Sequence, residues 1–235
     1  MRYGRVGGWF RLGIVVVRPA LLMTTEPEWR GRENVPAEGG MILASNHLSY
    51  VDPLTLAHFV FESGRIPRFL AKASLFDVPL LKHVLVGTQQ IPVHRGTADA
   101  VKALAAAVEA VRSGECVLIY PEGSATRDPE CWPMRARTGV ARLALTTGAP
   151  VIPVAQWGPQ ELWPYRARLP RPVPRKRVQV LAGPPVDLSP YTDQPMTSEV
   201  LHEATDQVMA RITDLLVDLR GGQPPAVAYD PRQAA

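Results

Sequence analysis

The chain has 235 residues, 46% of them hydrophobic and 20% charged, which suits one α/β domain with a sizeable core and excludes a disordered or collagen-like chain. The formal net charge is +4, and arginine supplies 22 of the 26 basic residues. That balance admits an anionic membrane, a phosphorylated substrate or nucleic acid as partner, but no zinc-finger spacing, RNP-like aromatic motif or sustained basic run supports nucleic acid. Two cysteines, Cys116 and Cys131, are too few for a disulfide framework or a cysteine metal cluster.

The first segment, MRYGRVGGWFRLGIVVVRPALLM, mixes arginines with large apolar residues. Its longest clean run, LGIVVV, falls far short of the ~20 residues that span a bilayer. Arg2, Arg5, Arg11 and Arg18 interrupt it, and no cleavage pattern of small residues follows. Trp9, Phe10, Leu12, Ile14 and Val15 among those arginines fit a segment lying on an anionic membrane surface. The alternative is a helix packed on the protein's own core, and the membrane surface is the favoured reading. Past Pro27 the chain turns polar, so residues 1–27 are set apart from a globular region, 28–221.

Within that region, short apolar runs recur between turn residues: MILAS (41–45), RFLA (68–71), QQIPV (89–93), CVLIY (116–120), VIPVA (151–155) and RVQVLA (177–182). Continuous rather than alternating runs predict strands covered on both faces. Cys116, inside such a run, reads as a small buried hydrophobe. Helical periodicity separates the strands. It appears over 53–61, over 97–113 with Thr97 as N-cap and Gly114 as the stop, over 137–148, and over 198–219. Strands alternating with helices predict a single α/β domain: a mixed, mostly parallel sheet flanked by helices, preceded by the N-terminal interfacial helical segment. The tail from 222 to 235, QPPAVAYDPRQAA with the preceding glycine, is expected to be disordered.

Sites in such sheets gather in loops at the carboxyl ends of strands. NHLSYVDP (46–53) directly follows MILAS. In a continuous helix, His47 and Asp52 would lie about 140° apart around the axis and could not meet. Asp52–Pro53, however, marks a helix start, with Asp as N-cap and Pro in the first turn. His47 then sits in a loop free to fold back. If it does, Asp52 fixes the imidazole tautomer and the other ring nitrogen becomes a general base. If it does not, Asp52 merely caps a helix and His47 is a surface residue. No His, Asp or Glu cluster supplies metal ligands at suitable spacing, so no metal is expected.

YPEGSATRD (120–128) follows CVLIY in the same relative position. A glycine there lets the backbone turn and present amides to an anion. Arg127, Arg135 and Arg137 follow, while Arg95 and Lys72 stand after two further strands. Each taken alone is an ordinary surface charge; their shared placement after strands argues for convergence on an anionic ligand. Ser124 lies outside a G-x-S-x-G elbow, and Cys131 is a lone thiol without an evident base, so neither reads as a nucleophile. The acid-free stretch RARLPRPVPRKR (166–177) suits either a large anionic headgroup or an anionic lipid surface.

Together these residues resemble the glycerolipid acyltransferase family typified by 1-acylglycerol-3-phosphate acyltransferases. N-H-x4-D matches Asn46, His47 and Asp52, with Ser49 at a commonly occupied position; GTQQIPVHR matches the second motif through Arg95. YPEGS matches the third, with Tyr120 for phenylalanine, and VIPVA the fourth; Arg137 and Gly139 meet a basic-x-Gly element. The four motifs agree in order and spacing over roughly 29–185. One departure stands out: Ala125 occupies the place where the family often has arginine, and Arg127 comes two residues later.

The resemblance implies transfer of an acyl chain from a thioester, of coenzyme A or acyl carrier protein, to a lysophospholipid hydroxyl. The favoured acceptor is 1-acylglycerol 3-phosphate, with phosphatidic acid as product. Glycerol 3-phosphate or another lysolipid is the alternative, and a phosphoester hydrolase a more distant one. It implies His47 as base and Asp52 as its orienting partner. Asn46, Ser49, Lys72, Arg95, Glu122, Gly123, Ser124, Arg127 and Arg137 would bind substrate, Glu122 and Gly123 at the glycerol and Arg95 with its neighbours at the phosphate. No bound cofactor is implied; the acyl thioester is a co-substrate. The place implied is the cytoplasmic face of the cell membrane, peripherally attached, with lipids, an anionic surface and acyl carrier protein as partners. The apolar residues of PLTLAHFVF and LFDVPLLKHVLVG line an acyl groove or belong to ordinary core.

Overall fold

The structure, a computed structural model, describes residues 7–93 and 99–231. Thr97, expected as a helix cap, and Arg2 and Arg5 of the N-terminal segment lie outside the described residues. A seven-stranded sheet forms the centre, in the order β1-β7-β6-β2-β5-β3-β4. Its strands are β1 (Thr25–Arg30), β2 (Met41–Ser45), β3 (Pro67–Lys72), β4 (Ile91–Val93), β5 (Cys116–Ile119), β6 (Val151–Trp157) and β7 (Lys176–Ala182). All neighbours are parallel except β6 and β7, so five strands run one way and the β7–β1 pair runs the other. The fold is therefore the expected single α/β domain with a mixed, mostly parallel sheet and an N-terminal helix.

The continuous apolar runs are explained by cover on both faces. Along β2, Ile42 and Ala44 point into one core with Val117, Val151 and the apolar faces of α4 (Asp99–Arg112), α5 (Gly139–Thr147) and α8 (Ser198–Arg220). Met41 and Leu43 point into the opposite core, against Leu56, Phe59 and Val60 of α2 (Asp52–Glu62). Alternate residues of one strand thus serve different layers, and both sets must be apolar. Short helices α6 (Pro159–Leu162) and α7 (Ser189–Thr192) complete the connections.

Helix α1 (Gly8–Thr24) and helix α3 (Pro79–Gly87) lie at the margin of this core. α1 is fastened by its inner side: Val17 and Leu21 pack with Val51, Leu162 and Trp163, and Arg18 pairs with Glu62 at 3.1 Å. Trp9 stacks on His83 of α3, with ring centroids 6.3 Å apart. Leu12, Val15, Val16 and Met23 of α1, and Leu80 and Val86 of α3, remain exposed. No helix among the described residues is long and apolar enough to cross a membrane.

Several boundaries differ from the sequence reading. The division at residue 27 falls inside β1, which pairs with β7 over its whole length. The strand was hidden because TEPEWR is polar and carries a proline. That composition is tolerated at a sheet edge, where one row of backbone groups faces no partner strand. Thr197, rather than Ser198, caps α8, accepting from the Val200 amide at 3.2 Å. The tail is irregular but not free of the domain: the Tyr229 carbonyl accepts from the Arg135 amide at 2.9 Å.

Candidate active site

Strands β2 and β5 are neighbours, and their register sets Ala44 opposite Ile119. Continuing each chain past its strand brings His47 level with Glu122. The loop after β2 then turns back before α2. Asp52 sits in the first turn of that helix with Pro53 behind it, but its side chain does not cap the helix. It points the other way, toward the loop. Its Oδ2 lies 2.8 Å from His47 Nδ1, accepts from the Ser49 amide at 2.9 Å, and also accepts from the Leu48 amide. One carboxylate oxygen thus fixes both the histidine ring and the turn that carries it. The expected N-cap is corrected by this geometry: three donors upstream outcompete the downstream amides.

The contact to Asp52 occupies Nδ1 and leaves His47 Nε2 without a partner among the described residues. The imidazole keeps 15% of its side-chain surface exposed, while Asp52 has none. A buried carboxylate bonded to one imidazole nitrogen fixes the tautomer and leaves the lone pair on the other.

Glu122 braces the same loop from below. Its Oε1 accepts from the His47 amide at 3.0 Å and its Oε2 from the Met134 amide at 2.8 Å. Burial pushes its carboxyl up to about 8, a shift that these two amide bonds oppose and the charges of Asp52 and Asp128 assist. The His47 carbonyl accepts from the Thr126 amide at 2.7 Å, closing a reciprocal pair of contacts between the two loops. Gly123 makes the turn possible at φ +79°, a backbone conformation that side chains with a Cβ resist.

Tyr120 lies under the histidine, its ring stacked at 4.3 Å and 20° from the imidazole, with Phe69 stacked at 6.2 Å on the phenol. Its hydroxyl is buried without a hydrogen-bond partner among the described residues, as is Asp52 Oδ1. Gln156 lies near the phenol, but its amide atoms are taken by Thr55 Oγ1 at 2.8 Å and Ser45 Oγ at 3.2 Å. Burial, with the Asp52 charge adding to it, holds the phenol well above its ordinary range.

A cavity of about 270 Å³ opens beside the pair rather than over it, lined in part by Leu48, Thr126, Arg127, Asp128 and Tyr165. Leu48 and Thr126 join it to the His47 loop.

This chain matches the model of the Acyltransferase family over residues 26–157, more than half its length and a span that carries both loops. The chain belongs to the Acyltransferase family. It is 31% identical over 125 residues to a 1-acyl-sn-glycerol-3-phosphate acyltransferase of Borreliella burgdorferi, covering 53% of this chain and 48% of that one. It is 26% identical over 190 residues to a 1-acyl-sn-glycerol-3-phosphate acyltransferase of Bacillus subtilis, covering 78% and 85%. A chloroplastic 1-acyl-sn-glycerol-3-phosphate acyltransferase of Brassica napus is 28% identical over 137 residues, 57% of this chain. The alignments span less than half the length of the Borreliella and Brassica relatives. The fold matches the crystal structure of the 1-acyl-sn-glycerophosphate acyltransferase PlsC of Thermotoga maritima with a TM-score of 0.65 at 21% identity, over 92% of this chain and 81% of that one.

In this member of the Acyltransferase family the residues expected to bind substrate fall into two groups. Asn46, Ser49 and Glu122 are buried struts. Asn46 exchanges two hydrogen bonds with the Gln156 backbone, at 3.1 and 2.8 Å, and so ties β2 to β6. Ser49 Oγ donates to the Trp163 carbonyl at 2.6 Å. Their side chains hold the loop rather than facing a ligand. Gly123 and Ser124 are partly exposed and Arg127 and Arg137 exposed after β5, while Lys72 is exposed at the end of β3. Arg127 lines the cavity. Arg95 lies outside the described residues. Tyr120 and Met134 were missed as parts of the site. The tyrosine was visible only as a variant of a motif phenylalanine, and the Met134 amide carries no sequence signal at all. Among the described residues, no group of three or more His, Cys, Asp or Glu is arranged to hold a metal ion.

Proposed function

We propose that this chain acylates the free hydroxyl of 1-acylglycerol 3-phosphate, giving phosphatidic acid, with an acyl thioester of coenzyme A or acyl carrier protein as donor. The observation that carries the reading is the His47 Nδ1–Asp52 Oδ2 contact of 2.8 Å, which leaves Nε2 open on a loop at the sheet's carboxyl edge. In the proposed reaction, Nε2 takes the proton of the acceptor hydroxyl. The oxygen attacks the thioester carbonyl, the C–S bond breaks, and the imidazolium returns its proton to the leaving thiolate. Asp52 stabilises the imidazolium throughout. Attack is direct, since neither Ser124 nor Cys131 has an activating base and burial pushes the Cys131 thiol up.

Arg127, and Arg95 and Arg137 with it, would hold the acceptor phosphate. Gly123 and Ser124 would face the glycerol. The exposed apolar side of α1 would rest on the cytoplasmic leaflet, where both lipids reside. The relatives' names support the acceptor; the geometry supports a general base.

The test crosses several acyl thioesters with glycerol 3-phosphate, 1-acylglycerol 3-phosphate and neutral lysolipids. Acylation of 1-acylglycerol 3-phosphate above all others is the expected outcome. Release of inorganic phosphate without any donor would instead identify a phosphoester hydrolase.

A further inference from the structure

The stretch from Trp163 through β7 takes no part in the proposed chemistry. From residue 163 to 185 it contains six cations and no acid. Two of the arginines have protein partners: Arg175 donates to the Thr25 carbonyl, and Arg177 grips Glu28 at 2.6 and 2.8 Å. Arg166, Arg168 and Arg171 are exposed and make no ion pair among the described residues; Arg166 rests over the Tyr165 ring. Two aliphatic residues stand between and beside them, Leu169 at 76% exposure and Val173 at 84%.

The place of this loop in the molecule gives the arrangement a meaning. Its first residues form a wall of the active-site loop: Pro164 bridges Ser49, the Trp163 carbonyl takes the Ser49 hydroxyl, and Tyr50 packs on Tyr165 with centroids 5.7 Å apart. Trp163 also joins the cluster that fastens α1 through Val17 and Leu21. The loop thus adjoins both the His47 turn and the helix whose outer side is apolar.

We infer that residues 163–173 dock on an anionic lipid surface beside the mouth of the site, Arg166, Arg168 and Arg171 meeting headgroups while Leu169 and Val173 enter the interface. The charge selects the anionic leaflet and the aliphatics select a bilayer over an acidic protein. Tyr50, Trp163 and Tyr165 are the amphipathic aromatics that settle at headgroup depth. The inference rests on the reading that the acceptor is a membrane lipid, and it adds a second contact that would hold the His47 loop at the surface from which the acceptor enters.

Partition of the full chain onto vesicles tests it without turnover. Wild type should bind phosphatidylcholine vesicles containing phosphatidylglycerol more tightly than phosphatidylcholine alone, with the difference shrinking at high salt. Replacing the three arginines by glutamine should weaken binding to the anionic vesicles on the order of 100-fold while leaving the weaker binding to neutral vesicles in place. Replacing them by lysine should restore most of the anionic preference, which a folding defect would not allow. Leu169→Asp with Val173→Asp should weaken both. An unchanged anionic preference in the glutamine variant overturns the inference. So does a loss confined to transfer from acyl carrier protein with vesicle binding intact, which would make the partner an acidic protein. Transfer to a short-chain, monomeric acceptor should be unaffected by these changes. Absence of that transfer in wild type, with partition as described, would sink the proposed function and leave the docking surface standing.

Discussion

The two loops around His47 and the outer surface formed by α1, α3 and the 163–173 loop are built on opposite terms. In the first, almost every polar atom is spent on a partner: Asp52 Oδ2 takes three donors, Glu122 takes two, and Asn46 exchanges two bonds with the Gln156 backbone. In the second, Arg166, Arg168 and Arg171 make no ion pair among the described residues, and valines and leucines face outward. A buried polar group without a partner is costly, so the first region is satisfied from within, Asp52 Oδ1 and the Tyr120 hydroxyl excepted. An exposed apolar patch of this kind is where a partner or a membrane docks, and in the proposed reading the second region is satisfied from outside. In the proposed function, the first region would do the chemistry and the second would find the substrate.

The largest break in that contrast should come from Asp52→Asn. A neutral amide no longer stabilises the imidazolium and permits the wrong imidazole tautomer, so kcat should fall by about 10³- to 10⁴-fold. Steady-state kinetics on a variant shown by circular dichroism to be folded checks this.

Glu122→Gln comes next. It leaves either the His47 or the Met134 amide facing an NH₂ group, at a cost of about 1–3 kcal/mol. It should also change the pH dependence of stability. In the folded chain the carboxyl's pKa rises from 4.5 to about 8, so the folded state holds the proton more tightly than the unfolded state does. The stabilisation is complete below about pH 4.5 and is lost as pH climbs through about 8. Urea midpoints at acid and mildly alkaline pH should show this decline in wild type and a flatter profile in the variant.

Tyr120→Phe sharpens the contrast from the other side. It keeps the ring under His47 and removes a buried hydroxyl that has no partner. Stability should rise by about 1 kcal/mol, with transfer near the wild-type rate; a loss of activity would show that the hydroxyl acts on Asp52. The smallest effect on folding is expected for Val16→Asp, within about 0.5 kcal/mol at a surface position, although vesicle binding should weaken measurably.

Much of the sheet was legible. MILAS, CVLIY and VIPVA announced themselves because strands covered on both faces have no polar alternative. β1 did not, because an edge strand tolerates glutamates and a proline, and the reversal between β6 and β7 leaves no trace in composition. In the site, Asp52–Pro53 made a His–Asp contact conceivable, although the carboxylate turned out to face backward rather than cap the helix. What sequence could not separate was strut from contact. Asn46 and Gln156 meet across 110 residues of chain, and Glu122 meets the Met134 amide across a turn whose path depends on Thr126 and Trp132. A polar residue in a motif looks the same whether it faces a ligand or a backbone.

The central claim is that His47 is the base for acyl transfer to a lipid hydroxyl. Thiol release from an acyl thioester, followed with and without 1-acylglycerol 3-phosphate in wild type and His47→Ala, tests it most directly. The prediction is acceptor-dependent release in wild type and a loss of about 10³-fold or more in the variant, with an unfolding midpoint close to that of wild type. Acceptor-dependent release at near wild-type rate from His47→Ala would contradict it.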